Sequence, residues 1–146
     1  MPVLLDVNAL IALVDSEHVH HRVITRWFRQ HHSAGWATCP LTENGMVRVL
    51  SQTAYPTGRR TPGQVIEILS ALKTAFAQSH KFWSDDLSLT DTTVFDFALI
   101  AGSRLVADAY LLGLAFQHTS KLVSFDQNLP WQAIRGASKA LIQLPT

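Results

Sequence analysis

The first apolar run, Val3-Leu4-Leu5, has no polar alternation and stops at Asp6. It predicts a short buried strand, Val3–Asp6, of the kind found in parallel sheets. The spacing changes at once, and "NALIALV" predicts a helix directly after the strand. In "HVHHRVITRWFRQHH", Val19, Val23, Ile24, Trp27 and Phe28 recur on one face at helical spacing, predicting a second helix. Gly35–Cys39 predicts a short strand, and Pro40, suited to a first helical turn, opens the helix "PLTENGMVRVLSQ". The polar stretch "TAYPTGRR" is a loop leading to a capped helix, "TPGQVIEILSALKTAFAQS". "KFWS" predicts a third strand and "TTVFDFALIAG" a further helix.

The strongest helical pattern is "VADAYLLGLAFQH", with Ala107, Leu111, Leu114 and Ala115 at helical spacing. "KLVSF" then predicts a buried strand ending on Asp126, and "ALIQL" a last strand. Strand and helix alternate throughout. This predicts an α/β fold, a three-layer α/β/α sandwich around a mainly parallel sheet, as a single domain over residues 1–146. Ligands of such sheets bind outside the carboxyl ends of the strands.

Composition narrows the class only slightly. With 47% hydrophobic and 16% charged residues the chain is an ordinary globular one. A net charge of +1 argues against a broad polybasic surface, although it says nothing about local patches. The single cysteine, Cys39, excludes an intramolecular disulfide and reads as a small buried apolar residue. No signal peptide and no apolar run of spanning length is present, which predicts a cytoplasmic protein with no membrane partner.

Asp6 is the unexpected residue. An unpaired buried carboxylate costs several kcal/mol, on a scale of roughly 2–7 for unbonded polar groups. Either it caps a helix or something positive sits on it. Of the 11 acidic residues, Asp15, Glu17, Asp85, Asp86 and Asp91 lie in turn-like company and read as solvated or capping; Glu67 reads as solvent-facing on its helix. Asp6, Glu43, Asp108 and Asp126 form a different set. Asp6 and Asp126 end strands that leave the same edge of a parallel sheet, Glu43 lies early in the helix after the second strand, and Asp108 early in the helix before the Asp126 strand. Each alone could be a helix cap or dipole partner, worth about 0.5–2 kcal/mol. All four at one end of the sheet are harder to explain as caps.

Gathered carboxylates repel one another, so an empty site raises some of their pKa values or binds a cation. Oxygen-only ligands select a hard ion, Mg²⁺ or Mn²⁺, and such an ion suits phosphodiester hydrolysis. Asn8 and Asn44 lie beside two of the acids and could orient a carboxylate or a bound water; Asn8 could equally be a plain cap.

The stretches "LLDVNALIAL", "TENGMVRVL" and "VADAYLLGLAFQHTSKLVSFD" resemble the PIN-domain family, in particular the VapC-type toxin ribonucleases of bacterial type II toxin–antitoxin systems. The resemblance runs from Asp6 to Asp126. It implies that Asp6, Glu43, Asp108 and Asp126 bind Mg²⁺ or Mn²⁺ and cut RNA, with tRNA or rRNA as the expected target and translation and growth as what is inhibited. It also implies a homodimer and a cognate VapB-type antitoxin that blocks the site, in a larger toxin–antitoxin assembly. The alternatives are a PIN-fold protein that holds RNA without cutting it, and a phospho-acceptor signalling domain. The last ranks lowest, because Asp6 has no acidic neighbour and the late strand ends in Asp126 where a lysine is wanted.

The seven histidines show no zinc-like spacing and read as structural, with His20 or His21 the best exceptions because they follow the first loop past Asp6. Arg22, Arg26 and Arg29 form a stripe on one helix face, and Arg59–Arg60 lie in a loop; both are candidates for phosphate contact against a default of solvated surface. Trp27, Trp36, Trp83 and Trp131 read as core or interface residues.

Overall fold

A computed structural model describes residues 1–146. Five short strands, β1 (Val3–Leu5), β2 (Trp36–Thr38), β3 (His80–Phe82), β4 (Leu122–Val123) and β5 (Ile142–Gln143), form one wholly parallel sheet in the order β3-β2-β1-β4-β5. The helices are α1 (Val7–Val14), α2 (His21–His31), α3 (Pro40–Leu50), α4 (Pro62–Ala75) and α5 (Val106–Gln117). Successive strand residues point to opposite faces, so one pleat feeds two cores. Leu4, Ala37 and Leu122 face α5, with Phe95, Leu112 and Leu114. Leu5, Trp36 and Val123 face α1–α4, with Ile24, Phe28, Met46 and Leu69. This is the expected α/β/α layering on a parallel sheet.

Helix α5 is buried at every position from Ala109 to Ala115, so its middle has no wet face and only its ends are exposed. Its outer side is covered by Leu87, Phe95, Leu129 and Ile134 from the flanking irregular segments. Gly113 makes that cover possible: a Cβ there would stand 2.6 Å from the Phe95 ring.

The helix expected over Thr92–Gly102 does not form; only Phe97–Leu99 makes a single 3-10 turn. Asp91 Oδ1 accepts from Thr93 N at 3.0 Å and from its hydroxyl, a local turn that competes with helix. The backbone then pairs sideways: Asp96 N donates to Ala133 O and Arg135 N to Val94 O, each at 2.8 Å. Thr, Val and Phe favour that extended arrangement.

Three further expectations shift. Strand β3 begins at His80, one residue before "KFWS". Helix α2 begins at His21, which leaves Val19 outside it and 83% exposed. Asp15, expected to be solvated or capping, is the C-cap residue of α1 but is buried, at 2% exposed. It accepts from Tyr55 Oη and Thr57 Oγ1 at 2.8 Å and lies 3.7 Å from Arg60, pinning the 53–60 loop. Burial works to raise its pKa, but the bonds from Thr57, Tyr55 and Glu17 N, with Arg60, outweigh it and leave the carboxyl below its ordinary range.

Other expectations hold. Cys39 is fully buried, with its thiol pushed up to about 11 by desolvation. Trp27, Trp36 and Trp83 are core residues, and Glu67 faces solvent. No helix is long and apolar enough to cross a membrane.

Candidate active site

The chain winds outward from β1 through β2 to β3, then crosses back to β4 on the other side of β1 and on to β5, so the strand order reverses between β1 and β4. Crevices outside the carboxyl ends of strands at such a reversal are where open α/β sheets bind ligands. Asp6 leaves β1 there and Asp126 follows β4.

Asp6 does cap a helix. Its backbone is extended (φ −66°, ψ 161°), and Oδ1 accepts from Val7 N at 2.8 Å. Its second oxygen, Oδ2, accepts from Ser124 Oγ at 2.8 Å. The residue is 4% exposed. Burial pushes its pKa up, against the bonds from Ser124 and Val7 N, and the charge of Asp126 adds to the rise. Asp108, in the first turn of α5, is raised to about 6, by burial first and then by the charges of Asp6 and Asp126. The three acids therefore share one electrostatic neighbourhood. Asp126 is exposed at its mouth, with Oδ1 accepting from Asn128 N at 2.8 Å.

The residue that joins them is Ser124, fully buried. Its hydroxyl donates to Asp6 and accepts from Asn8 Nδ2 at 2.9 Å and Asp126 N at 3.1 Å. Asn8 Oδ1 accepts in turn from Phe125 N at 3.2 Å. Asn8 thus fastens the end of β4 to the start of α1. Ser124 escaped the sequence reading, although its signal was there: it is the one polar residue inside the run "LVSF".

Glu43, in the first turn of α3, is bonded to β2 and α4. Its Oε2 accepts from Thr38 Oγ1 at 2.7 Å and from Lys73 Nζ at 2.8 Å. Because the Thr38 proton goes to Glu43, His80 Nε2, 2.8 Å from the same hydroxyl, must be the donor to it. Burial, then Lys73, lowers the His80 pKa, with Glu43 opposing. A cleft of about 490 Å³ opens beside Glu43, Lys73 and His80. Asn44 is spent elsewhere: its amide donates to Pro40 O at 2.7 Å, one helical turn back, and it is exposed. The remaining histidines are largely structural, His31 stacking on Trp27, His32 on Phe28 and His118 on Trp83.

No three His, Cys, Asp or Glu side chains stand ready as a metal cage. Asp6, Asp108 and Asp126 fit a hard cation in another manner, through one or two carboxylates with water completing the shell, as Mg²⁺ is commonly bound. Their mutual repulsion is what such a cation would relieve.

A wholly parallel sheet carrying coupled carboxylates at its reversal point defines the class. Residues 3–134 match the PIN domain, and the chain belongs to that family. Within it the chain is similar to several VapC proteins, among them three from Mycobacterium tuberculosis H37Rv. The chain is 41% identical over 140 residues to Ribonuclease VapC44, covering 95% of this chain and 96% of that one. It is 41% identical over 141 residues to Ribonuclease VapC39, covering 97% and 100%. Over 123 residues it is 44% identical to Ribonuclease VapC38, covering 84% of each.

Proposed function

We propose that the chain is the toxin of a toxin–antitoxin pair: an endoribonuclease, dependent on Mg²⁺ or Mn²⁺, that cuts tRNA or rRNA in the cytoplasm and so inhibits translation and growth. The observation that carries this is the buried Ser124 hydroxyl tying Asp6 to the Asp126 backbone at the sheet reversal, with Asp108 close enough for their charges to raise its pKa, in a chain whose relatives are named ribonucleases. Asp6, Glu43, Asp108 and Asp126 are the proposed catalytic and cation-holding residues. A bound Mg²⁺ or Mn²⁺ would supply water activation and neutralise charge on the phosphate. The chain's own part is positioning. Ser124 and Val7 N fix both oxygens of Asp6, Asn8 fixes Ser124 and the β4 end, and Asp126 lies open for substrate and cation to enter. The proposed partners are an RNA substrate, a VapB-type antitoxin and a second copy of the chain. Exposed Phe97, Leu99 and Val106, close in sequence to Asp108, offer apolar surface for protein contact.

The test is cleavage of RNA by purified, antitoxin-free protein with and without Mg²⁺, followed by sequencing of the new 5′ ends. Asp6→Asn keeps a good capping side chain and removes the charge; it and Asp108→Asn are expected to lower cleavage about 100-fold or more, the scale of losing a group that acts in the transition state. Glu43→Gln is expected to cost less, because Lys73 already neutralises that carboxylate. Wild-type cleavage by Asp6→Asn would refute the site. The Lys73–Glu43 pair is the one observation favouring an RNA-holding protein that does not cut, and that reading would be adopted if no divalent ion elicits cleavage.

A further inference from the structure

Helix α2 buries Ile24, Trp27 and Phe28 against the sheet. Its opposite face carries Arg22, Arg26 and Arg29, four and three residues apart, which aligns them in one stripe. All three are exposed, and the helix contains no acidic residue. The ion pairs of the molecule engage Arg60, Lys73 and Arg135, so none of the α2 arginines is neutralised. With His21, Thr25 and Gln30 they line an open cleft of about 620 Å³ that has no hydrophobic residue in its lining.

The stripe also has a direction. Its first end adjoins His20, whose ring stacks on Phe125 with centroids 4.2 Å apart and planes 10° from parallel. Phe125 lies between Ser124 and Asp126. From that end the arginines run for about 10 Å along the helix axis, at 1.5 Å per residue. Unpaired guanidinium groups present planar forks that match phosphate oxygens. A protein partner would call for an apolar anchor, which this cleft lacks.

We propose that the Arg22–Arg26–Arg29 face is a binding track for the phosphate backbone of single-stranded RNA, leading to the Asp6–Asp108–Asp126 site past the His20–Phe125 stack. This deepens the ribonuclease reading and rests on it for the identity of the polyanion as substrate. The track is independent of sequence, since phosphate contacts position a strand without reading bases.

The test is binding of a fluorescein-labelled single-stranded RNA oligonucleotide to the full chain in EDTA, where no divalent ion is present, by anisotropy over a series of salt concentrations. The Arg22→Gln/Arg26→Gln/Arg29→Gln variant is expected to lose about 2 from the slope of log K against log salt, at ~0.7 per phosphate contact on a single strand. At 0.1 M salt that corresponds to a weakening of about 10- to 100-fold. A charge-matched control, Lys81→Gln/Lys121→Gln/Lys139→Gln, removes three exposed lysines elsewhere and is expected to change the slope far less. Circular dichroism and melting of both variants establish that they are folded. An unchanged slope in the arginine variant, or an equal loss in both variants, would overturn the proposal. So would intact RNA binding together with lost binding of the antitoxin, which would make the stripe a protein surface. RNA binding that depends on the stripe in a protein that never cleaves would uphold the track and overturn the ribonuclease reading; cleavage with stripe-independent binding would do the reverse.

Discussion

The Ser124 hydroxyl has one proton and two lone pairs, and all are committed: to Asp6, Asn8 and the Asp126 backbone. That single buried group locks two strand ends and the first turn of α1 into one geometry. It also shows why the capping and functional readings of Asp6 do not compete, since one oxygen caps α1 and the other is turned to Ser124. Asp108 lacks such partners, and its pKa of about 6 reflects burial and two neighbouring charges. A carboxyl raised above its unfolded value of 3.8 binds its proton more tightly in the fold. The stability it contributes is full below that value and is lost as pH rises through about 6. The Asp108 contribution to the melting temperature of cation-free protein is therefore expected to be smaller at pH 7 than at pH 5. Asp108→Asn should make stability less dependent on pH between 5 and 7 and raise the pH 7 melting temperature by about 2–4 °C, the scale of 1 kcal/mol at this chain length. A variant as pH-sensitive as wild type would assign the effect elsewhere.

At the scale of elements, periodicity located α1, α3, α4 and α5 well because each has a long apolar pattern or a strong start signal. Thr61 and Gln64 show this directly, exchanging bonds of 3.1 and 2.9 Å across the first turn of α4. The pattern failed at 92–102, where Phe95 alone is buried, as a cover for α5, and Phe97 and Leu99 stay exposed, so the apolar residues make no helix face. At Asp15 it found the helix end but missed the burial, because the partners Tyr55 and Thr57 lie 40 and 42 positions away. Local company cannot announce partners at that distance. Asp15→Ala would leave Tyr55, Thr57 and Arg60 without their common acceptor, at an expected cost of about 2–3 kcal/mol. Urea denaturation measures the loss, and faster tryptic cleavage at Arg59 or Arg60 should accompany it. Unaltered trypsin sensitivity would mean that the 53–60 loop is held by other contacts.

For the whole molecule, the sheet order decides where the acids meet. Asp6 and Asp126 meet because β1 and β4 are neighbours, while Glu43, on the helix after β2, is paired with Lys73. A cation that binds the folded site alone should stabilise the molecule by mass action, by about 2.7 kcal/mol at a hundred times its dissociation constant. Titrating MgCl₂ or MnCl₂ into EDTA-treated protein is expected to raise the melting temperature by about 5–10 °C. In Asp6→Asn that rise should largely vanish; an equal rise in both proteins would place the cation away from the trio.

The sequence by itself determined the alternation of strands and helices, the burial of Cys39 and three tryptophans, the arginine stripe and the identity of the unusual acids. Those features depend on neighbours within a few residues, through side-chain period, turn chemistry and capping. Tertiary structure alone decided which acids share a neighbourhood, that Ser124 and Asn8 brace them, that Lys73 neutralises Glu43 and that Asp15 is buried. Those facts turn on contacts spanning about thirty to more than a hundred residues of chain, and only the assembled fold brings such positions within hydrogen-bonding distance.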